Sequence, residues 1–278
     1  MKKFLILFLL ISVKLYSYFD YNIFSVKAYS MGNITTANLT SSDSVFYNPA
    51  LLNYVTDINL SINFFSLYPD IINNSIYTYN ISAAKDISGN GIGLGYHAFH
   101  SDNYSETLLI GGYSRKLSFF SSGISVKYGS VGFEPNVKND VGLETVLHFF
   151  TFTIGILFSQ DTYKFGIVAA NLFSNKTGIS YDEPLNRRFS IGGSYKFTDY
   201  LDASAELEYY DDYFDYKLGC SILAVKNILT LNSGINKHSF NFGFSFKYTD
   251  LYVDYGLQYD FNFVELNSTQ MIGVRINL

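Results

Sequence analysis

The side chains able to do chemistry are few, and their spacing serves no reaction. The chain has four histidines, His97, His100, His148 and His238. His97 and His100 are three apart, and in an extended strand that spacing sends them to opposite faces, a poor pair for one metal ion. No Cys-x-x-Cys, His-Glu-x-x-His or phosphate-binding glycine loop occurs. Gly89, Gly91, Gly93 and Gly95 stand two apart, which is the texture of a strand face and not a dinucleotide fingerprint. Asp211, Asp212 and Asp215 lie among Tyr209, Tyr210, Tyr213, Phe214 and Tyr216. Such a turn could hold a cation, but a solvated hairpin tip is the simpler reading. The single cysteine, Cys220, excludes an internal disulfide and, far from the N-terminus, a lipid-modified start. Its neighbours alternate with it in a strand pattern, so it reads as an inert wall residue. No catalytic residue, metal site or cofactor is expected, and the chain does not read as an enzyme.

The elements that would position these groups are strands. Phe240, Phe242, Phe244, Phe246 and Tyr248 alternate with Asn241, Gly243, Ser245 and Lys247. Ile58, Leu60, Ile62 and Phe64 alternate with Asn59, Ser61 and Asn63, and Ile272, Val274, Ile276 and Leu278 with Gly273, Arg275 and Asn277. Helices need apolar residues at i, i+3, i+4 and i+7, and these segments lack them. The pattern predicts about fourteen antiparallel strands, from 57–66 at the start to 269–278 at the end. The sixth is one long strand over 141–159, because no Asn, Asp or Pro breaks the stretch between Gly142 and Asp161. Polar connections at about 131–140 and 173–186 are the expected long loops.

Composition says where such strands belong. Only 15% of the 278 residues are charged, while 48% are hydrophobic and 18% aromatic, with Tyr 25 and Phe 26. One strand face is apolar and the other is Gly, Ser, Asn or Thr. A soluble sandwich or lipocalin-like barrel shows the same period but needs a charged outer face and a shorter chain. The fold class expected is therefore all-β, a transmembrane antiparallel β-barrel, since only closed barrels and helices satisfy their backbone groups in lipid. Tyr-rich strands suit the membrane interface. A net charge of −5 offers no basic stripe, so no nucleic-acid partner is expected.

The N-terminus reads as a signal peptide over 1–17. Lys2 and Lys3 precede an apolar run, Phe4 to Val13, broken only by Ser12, and Ser17 is a small residue for cleavage. That run is too short for a spanning helix, which takes about 20 residues. Residues 18–56 lack the alternation and are expected to form a small plug or hatch before the barrel at 57–278.

Within that segment, Ala28-Tyr29-Ser30-Met31-Gly32-Asn33 precedes Asp43-Ser44-Val45-Phe46-Tyr47-Asn48-Pro49-Ala50. The two stretches resemble the N-terminal motifs of the PorV/PorQ-like, FadL-type outer-membrane β-barrel family, a Gly-Met-Gly-like turn followed by an acidic stretch and Tyr-x-Asn-Pro-Ala. Here Ser42 stands at the first acidic position and Leu51 at the usual glycine. Phe165 to Leu172 and Glu183 to Gly192 are similar to later family segments. The last residue, Leu278, is aliphatic where barrel-assembly signals usually end in an aromatic. The resemblance implies a fourteen-stranded barrel in the bacterial outer membrane with Gly32, Asp43, Asn48, Pro49 and Ala50 in its hatch. Asn-Pro is also a common turn initiator, so a plain turn before the first strand is an equal reading of those three. The family implies a channel for hydrophobic small molecules such as long-chain fatty acids, or else a structural or secretion-scaffold barrel with protein partners. A general aqueous porin would need a charged open lumen. The expected partners are outer-membrane lipid, the barrel-assembly machinery, and hydrophobic small molecules or secretion-system proteins.

Overall fold

The computed structural model describes residues 23–67, 69, 76–133, 146–173, 185–210, 212–261 and 268–278. The expected signal peptide, residues 18–22, most of the two expected long loops and Asp211 lie outside the described residues.

Period two becomes a closed wall. The strands are β1 (Ile58–Leu67), β2 (Ile76–Ile87), β3 (Asn90–His100), β4 (Tyr104–Leu117), β5 (Phe120–Phe133), β6 (Val146–Ser159) and β7 (Tyr163–Leu172). They continue as β8 (Arg188–Thr198), β9 (Leu201–Tyr210), β10 (Tyr213–Val225), β11 (Leu229–Asn236), β12 (Ser239–Tyr248), β13 (Leu251–Asp260) and β14 (Ser268–Asn277). Each pairs antiparallel with its sequence neighbour, and β14 returns to β1 with Asn59 opposite Asn277 and Ser66 opposite Gln270. Closure leaves no unpaired strand edge, which is what a membrane demands of a sheet. The structure corrects one loop boundary: residues 131–133 continue β5, because Val131 and Gly132 still pair with Leu147 and Val146.

Connections differ at the two ends. Turns 88–89, 118–119, 160–162, 199–200, 226–228 and 249–250 lie at the end where β1 begins and β14 finishes. Ser88 and Gly89 both take positive φ, 53° and 83°, the pair of values a tight two-residue hairpin requires. The opposite end carries the longer connections 68–75, 134–145, 173–187 and 261–267. Outer-membrane barrels keep short turns in the periplasm and long loops outside, which orients both barrel termini toward the periplasm.

Alternation sorts side chains by solvent. On β12, Asn241 is 1% exposed and Phe242 45%. The outward set includes Ile62, Leu94, Phe150, Ile191 and Leu218, all exposed. Among the described strand residues its charged members are Lys85 and Arg115, each beside a tight turn. Cys220 also faces out, between Leu218 and Ile222, consistent with a wall residue. A continuous apolar exterior of this extent is incompatible with water and matches hydrocarbon. Phe242→Lys is accordingly expected to lower stability by about 2–4 kcal/mol in lipid vesicles, the cost of a cation near the bilayer midplane. Urea titration of the vesicle-embedded barrel measures it, and an unchanged midpoint would place Phe242 outside the hydrocarbon.

Candidate functional site

The buried interior is not made by the wall alone. Residues 23–57 lie inside the barrel as a short helix α1 (Val26–Ser30), a helical turn α2 (Ser44–Tyr47) and a 3-10 turn (Pro49–Tyr54). Phe24, Phe46, Leu51 and Leu52 cluster there with inward Leu108 of β4 and Phe149 of β6. Phe24 stacks on Phe46 at 4.7 Å. Burying one such ring is worth about 1.5–3 kcal/mol.

Local chemistry explains the path of this inner segment. After α1, Gly32 takes φ +79°, and the N–H of Asn33 closes back on the carbonyl of Ala28 at 2.9 Å. A Cβ at Gly32 would also stand 3.1 Å from the Ile235 backbone nitrogen. Asn48 caps the 3-10 turn, its Oδ1 accepting from the Ala50 N–H at 3.0 Å, with Pro49 at the first position, where its missing N–H costs nothing. Its Nδ2 donates to the Thr36 carbonyl at 2.6 Å, tying two distant stretches of the segment together.

The wall receives this segment on glycine. A Cβ at Gly155 would be 1.9 Å from Asn48 Oδ1, one at Gly123 2.5 Å from the Pro49 carbonyl carbon, and one at Gly234 2.1 Å from that of Met31. Gly93 and Gly95 make room for Leu52, Val45 and Phe46. The glycines spaced two apart on β3 are thus a seat for the inner segment.

Side chains on the wall replace the sheet partners that the segment's backbone lacks. Asn63 Nδ2 donates to the Phe24 carbonyl at 3.1 Å, and its Oδ1 accepts from the Val26 N–H at 3.2 Å. Asn80 Nδ2 donates to the Ile23 carbonyl, and Asn59 Oδ1 accepts from the Ser42 N–H at 2.6 Å. Across the lumen, Glu206 Oε2 on β9 accepts from both the Thr35 and Thr36 N–H groups at 2.8 Å. Its other oxygen accepts from Lys217 Nζ at 2.9 Å, and Lys217 also reaches Glu208, which pairs with Arg188 at 3.2 Å. Sequence reasoning missed this buried network. Its signal was present in the inward alternation of Glu206 and Glu208 and in the register that sets Lys217 opposite Glu206.

The histidines make no metal centre. His97 is buried, its Nδ1 sharing hydrogen bonds with Asn80 Oδ1 and Thr78, while His100 faces out beside Tyr77. Among the described residues no group of three His, Cys, Asp or Glu side chains comes together. The acidic turn departs from the expected solvated tip. Asp212 accepts from the Tyr209 hydroxyl at the exposed end, but Asp215 points into the lumen, is buried, and accepts from the Lys237 N–H at 3.2 Å. The reason is that β10 begins at Tyr213, so Asp215 already belongs to the inward set.

The family model described as "Type IX secretion system membrane protein PorP/SprF" matches residues 31–277, the whole barrel and most of the inner segment. The chain belongs to the PorP/SprF family. No curated protein matches it by sequence. In structure this PorP/SprF barrel is similar to the toluene transporter TodX of P. putida, with TM-score 0.71, 9% identity, and 92% of this chain and 98% of that chain covered. It is also similar to the toluene transporter TbuX of Ralstonia pickettii, with TM-score 0.66, 10% identity, and coverage of 93% and 98%. The CymD monoaromatic hydrocarbon channel follows at TM-score 0.63, 12% identity, and coverage of 91% and 96%. Identities this low carry the architecture, a fourteen-stranded barrel of FadL type. The family and the fold together place the protein in the bacterial outer membrane.

Asp43 is the acid of the family-like motif, and in this PorP/SprF chain it is buried between the inner segment and β1–β2. Its Oδ1 accepts from Ser82 Oγ at 2.7 Å and Asn63 Nδ2 at 3.2 Å. Burial pushes its carboxyl above the ordinary range, partly opposed by the Ser82 and Ser25 hydroxyls and by Arg275. The stability it contributes is complete below the unfolded carboxylate value of about 3.9 and is lost as pH rises through the raised native value. Asp43→Asn keeps the acceptor oxygen and removes the charge. The variant is expected to slow hydrogen exchange at residues 42–46 at neutral pH, with the gain vanishing toward about pH 4. Faster exchange at neutral pH would show that the carboxylate itself is needed.

Proposed function

We propose that this PorP/SprF chain is a plugged outer-membrane barrel that bears protein partners for a secretion system, with residues 23–57 as the plug. Gly32, Asp43, Asn48, Pro49 and Ala50 are its seating residues in this reading. The observation that carries it is the seating itself. Plug backbone meets wall glycines on β3, β5, β7, β10 and β11, and the plug is hydrogen-bonded from β1, β2 and β9. The cavities left beside the plug are lined by lysines, threonines and asparagines, a lining suited to water and ions. A barrel so filled acts through its surfaces. Crosslinking in intact cells, followed by mass spectrometry of the purified barrel, tests this. Secretion-system proteins bound at the loop end support it, and a barrel recovered free of such proteins contradicts it.

A second reading is gated uptake of hydrophobic small molecules. It is favoured by the likeness to TodX and TbuX and by the apolar cluster of Phe24, Phe46, Leu108 and Phe149 along one side of the lumen. Saturable binding of labelled oleate to the detergent-folded barrel would move the assignment to this reading.

A further inference from the structure

Two cavities flank the plug on its periplasmic side and meet at Lys27, Thr40 and Lys164. The larger, about 470 Å³, is lined by four cationic side chains, Lys27, Lys164, Lys247 and Arg275, and by no Asp or Glu among the described residues. The smaller, about 260 Å³, adds Lys196 and opens past the turn at Gln160–Thr162, where Asp161 and Asp202 also line it.

The four cations are not equivalent. Arg275 is held by Asp254 through Nε at 2.6 Å and Nη2 at 3.0 Å, so its charge is balanced. Lys164 lies over the Tyr54 ring at 5.5 Å and Lys247 over the Tyr252 ring at 5.2 Å. Ring faces attract cations without neutralising them. Lys27, on α1, has no hydrogen-bond acceptor at its ammonium among the described residues. None of these three lysines has a carboxylate within ion-pair distance among the described residues. Other lumen charges are matched, as Lys217 is by Glu206 and Glu208. Uncompensated cations that share one recess are costly unless a counter-charge joins them. In a chain of net charge −5, this surplus is local. The repulsion shows at Lys27, whose ammonium is pushed down to about 8 by burial and by Arg275, partly opposed by Asp254 and Asp202.

We propose that this recess binds an oxyanion, a phosphate or carboxylate group, that enters from the periplasm. Lys27, Lys164 and Lys247 supply the charge. Thr40, Ser245 and Tyr252 supply neutral hydrogen-bond donors beside them. Because Lys27 belongs to the plug and the other two to the wall, the bound anion bridges plug and barrel.

Calorimetric titration of inorganic phosphate and, separately, citrate into the full detergent-folded chain tests the proposal. At least one is expected to bind saturably, and the stronger of the two identifies the group. Lys164→Gln and Lys27→Gln are each expected to weaken binding by about tenfold or more, the loss of one charge-assisted hydrogen bond. Lys85→Gln, on the outer wall, leaves it unchanged. The bound anion also protects Lys27 from an amine-reactive acylating reagent, read by mass spectrometry. Folding of each variant is checked by heat-modifiable gel migration, and if Lys27→Gln does not fold, protection of Lys27 in the native chain decides. Absence of binding by both anions, or affinity that ignores both lumen substitutions, overturns the proposal.

Discussion

A chain that begins at Ile58, refolded into lipid without the inner segment proposed as its plug, is expected to conduct ions in discrete steps across a planar bilayer. The wall does not need the plug for its own hydrogen bonds, since every strand from β1 to β14 is paired on both sides. Removing the plug uncovers an inner face rich in polar groups: Ser61, Asn63, Ser125, Thr153, Asn232 and Asn241 are all buried in the intact protein. Such a surface fills with water, as the lumens of open barrels do. The inner charges stay solvated once exposed, and Lys217, Glu206 and Glu208 then line a pore. If the shortened chain folds, by its heat-modifiable migration, yet the bilayer stays silent, the wall itself closes the lumen and the plug has another role.

The second large effect is expected at Glu206. Its carboxylate holds two plug N–H groups and half of Lys217 at once. Glu206→Ala leaves Thr35 and Thr36 without acceptors and Lys217 with Glu208 alone. Breaking one partner out of a buried ion pair costs about 3–5 kcal/mol. The loss falls on the plug, because the β9–β10 ladder keeps its own bonds. Limited proteolysis near Thr35 and flickering conductance of the reconstituted barrel are the expected readouts. Adding Lys217→Met to Glu206→Ala removes the cation that has lost one of its two partners, and part of the loss is expected to return. A single variant as resistant and as silent as the parent would show that the glycine seats alone hold the plug.

How much of this could be seen in the sequence depends on the range of the interaction. Strand positions follow from nearest-neighbour alternation, so Phe240 to Tyr248 announces both a strand and its lipid face. The small residues opposite, such as Gly91, Gly93 and Gly95, suit a lumen packed with a plug or lined with water. What fills it is not local information. Asn48 is legible as a turn residue, yet its contact with Gly155 joins positions a hundred residues apart, and no period links them. The Glu206 latch needs three things together: the register of β9 on β10, the inward phase of both, and the path of residues 35–36 through the lumen. Asp215 shows the smaller version of the same limit. One residue of strand start decides whether it faces water or the lumen.

Among the described residues, the buried acids Asp43, Glu206, Glu208 and Asp254 are bonded within the lumen to wall or inner-segment groups. His97 anchors Asn80, which in turn holds the carbonyl of Ile23. Cys220 faces outward beside Leu218 and Ile222. The unspent charge gathers at the lysines beneath the plug.

Reconstitution of the full-length protein into planar bilayers, with the shortened chain as reference, goes to the centre of the account. Insertion without steady current is the predicted result. Stable open steps from the intact chain, comparable with those of the shortened one, would contradict it.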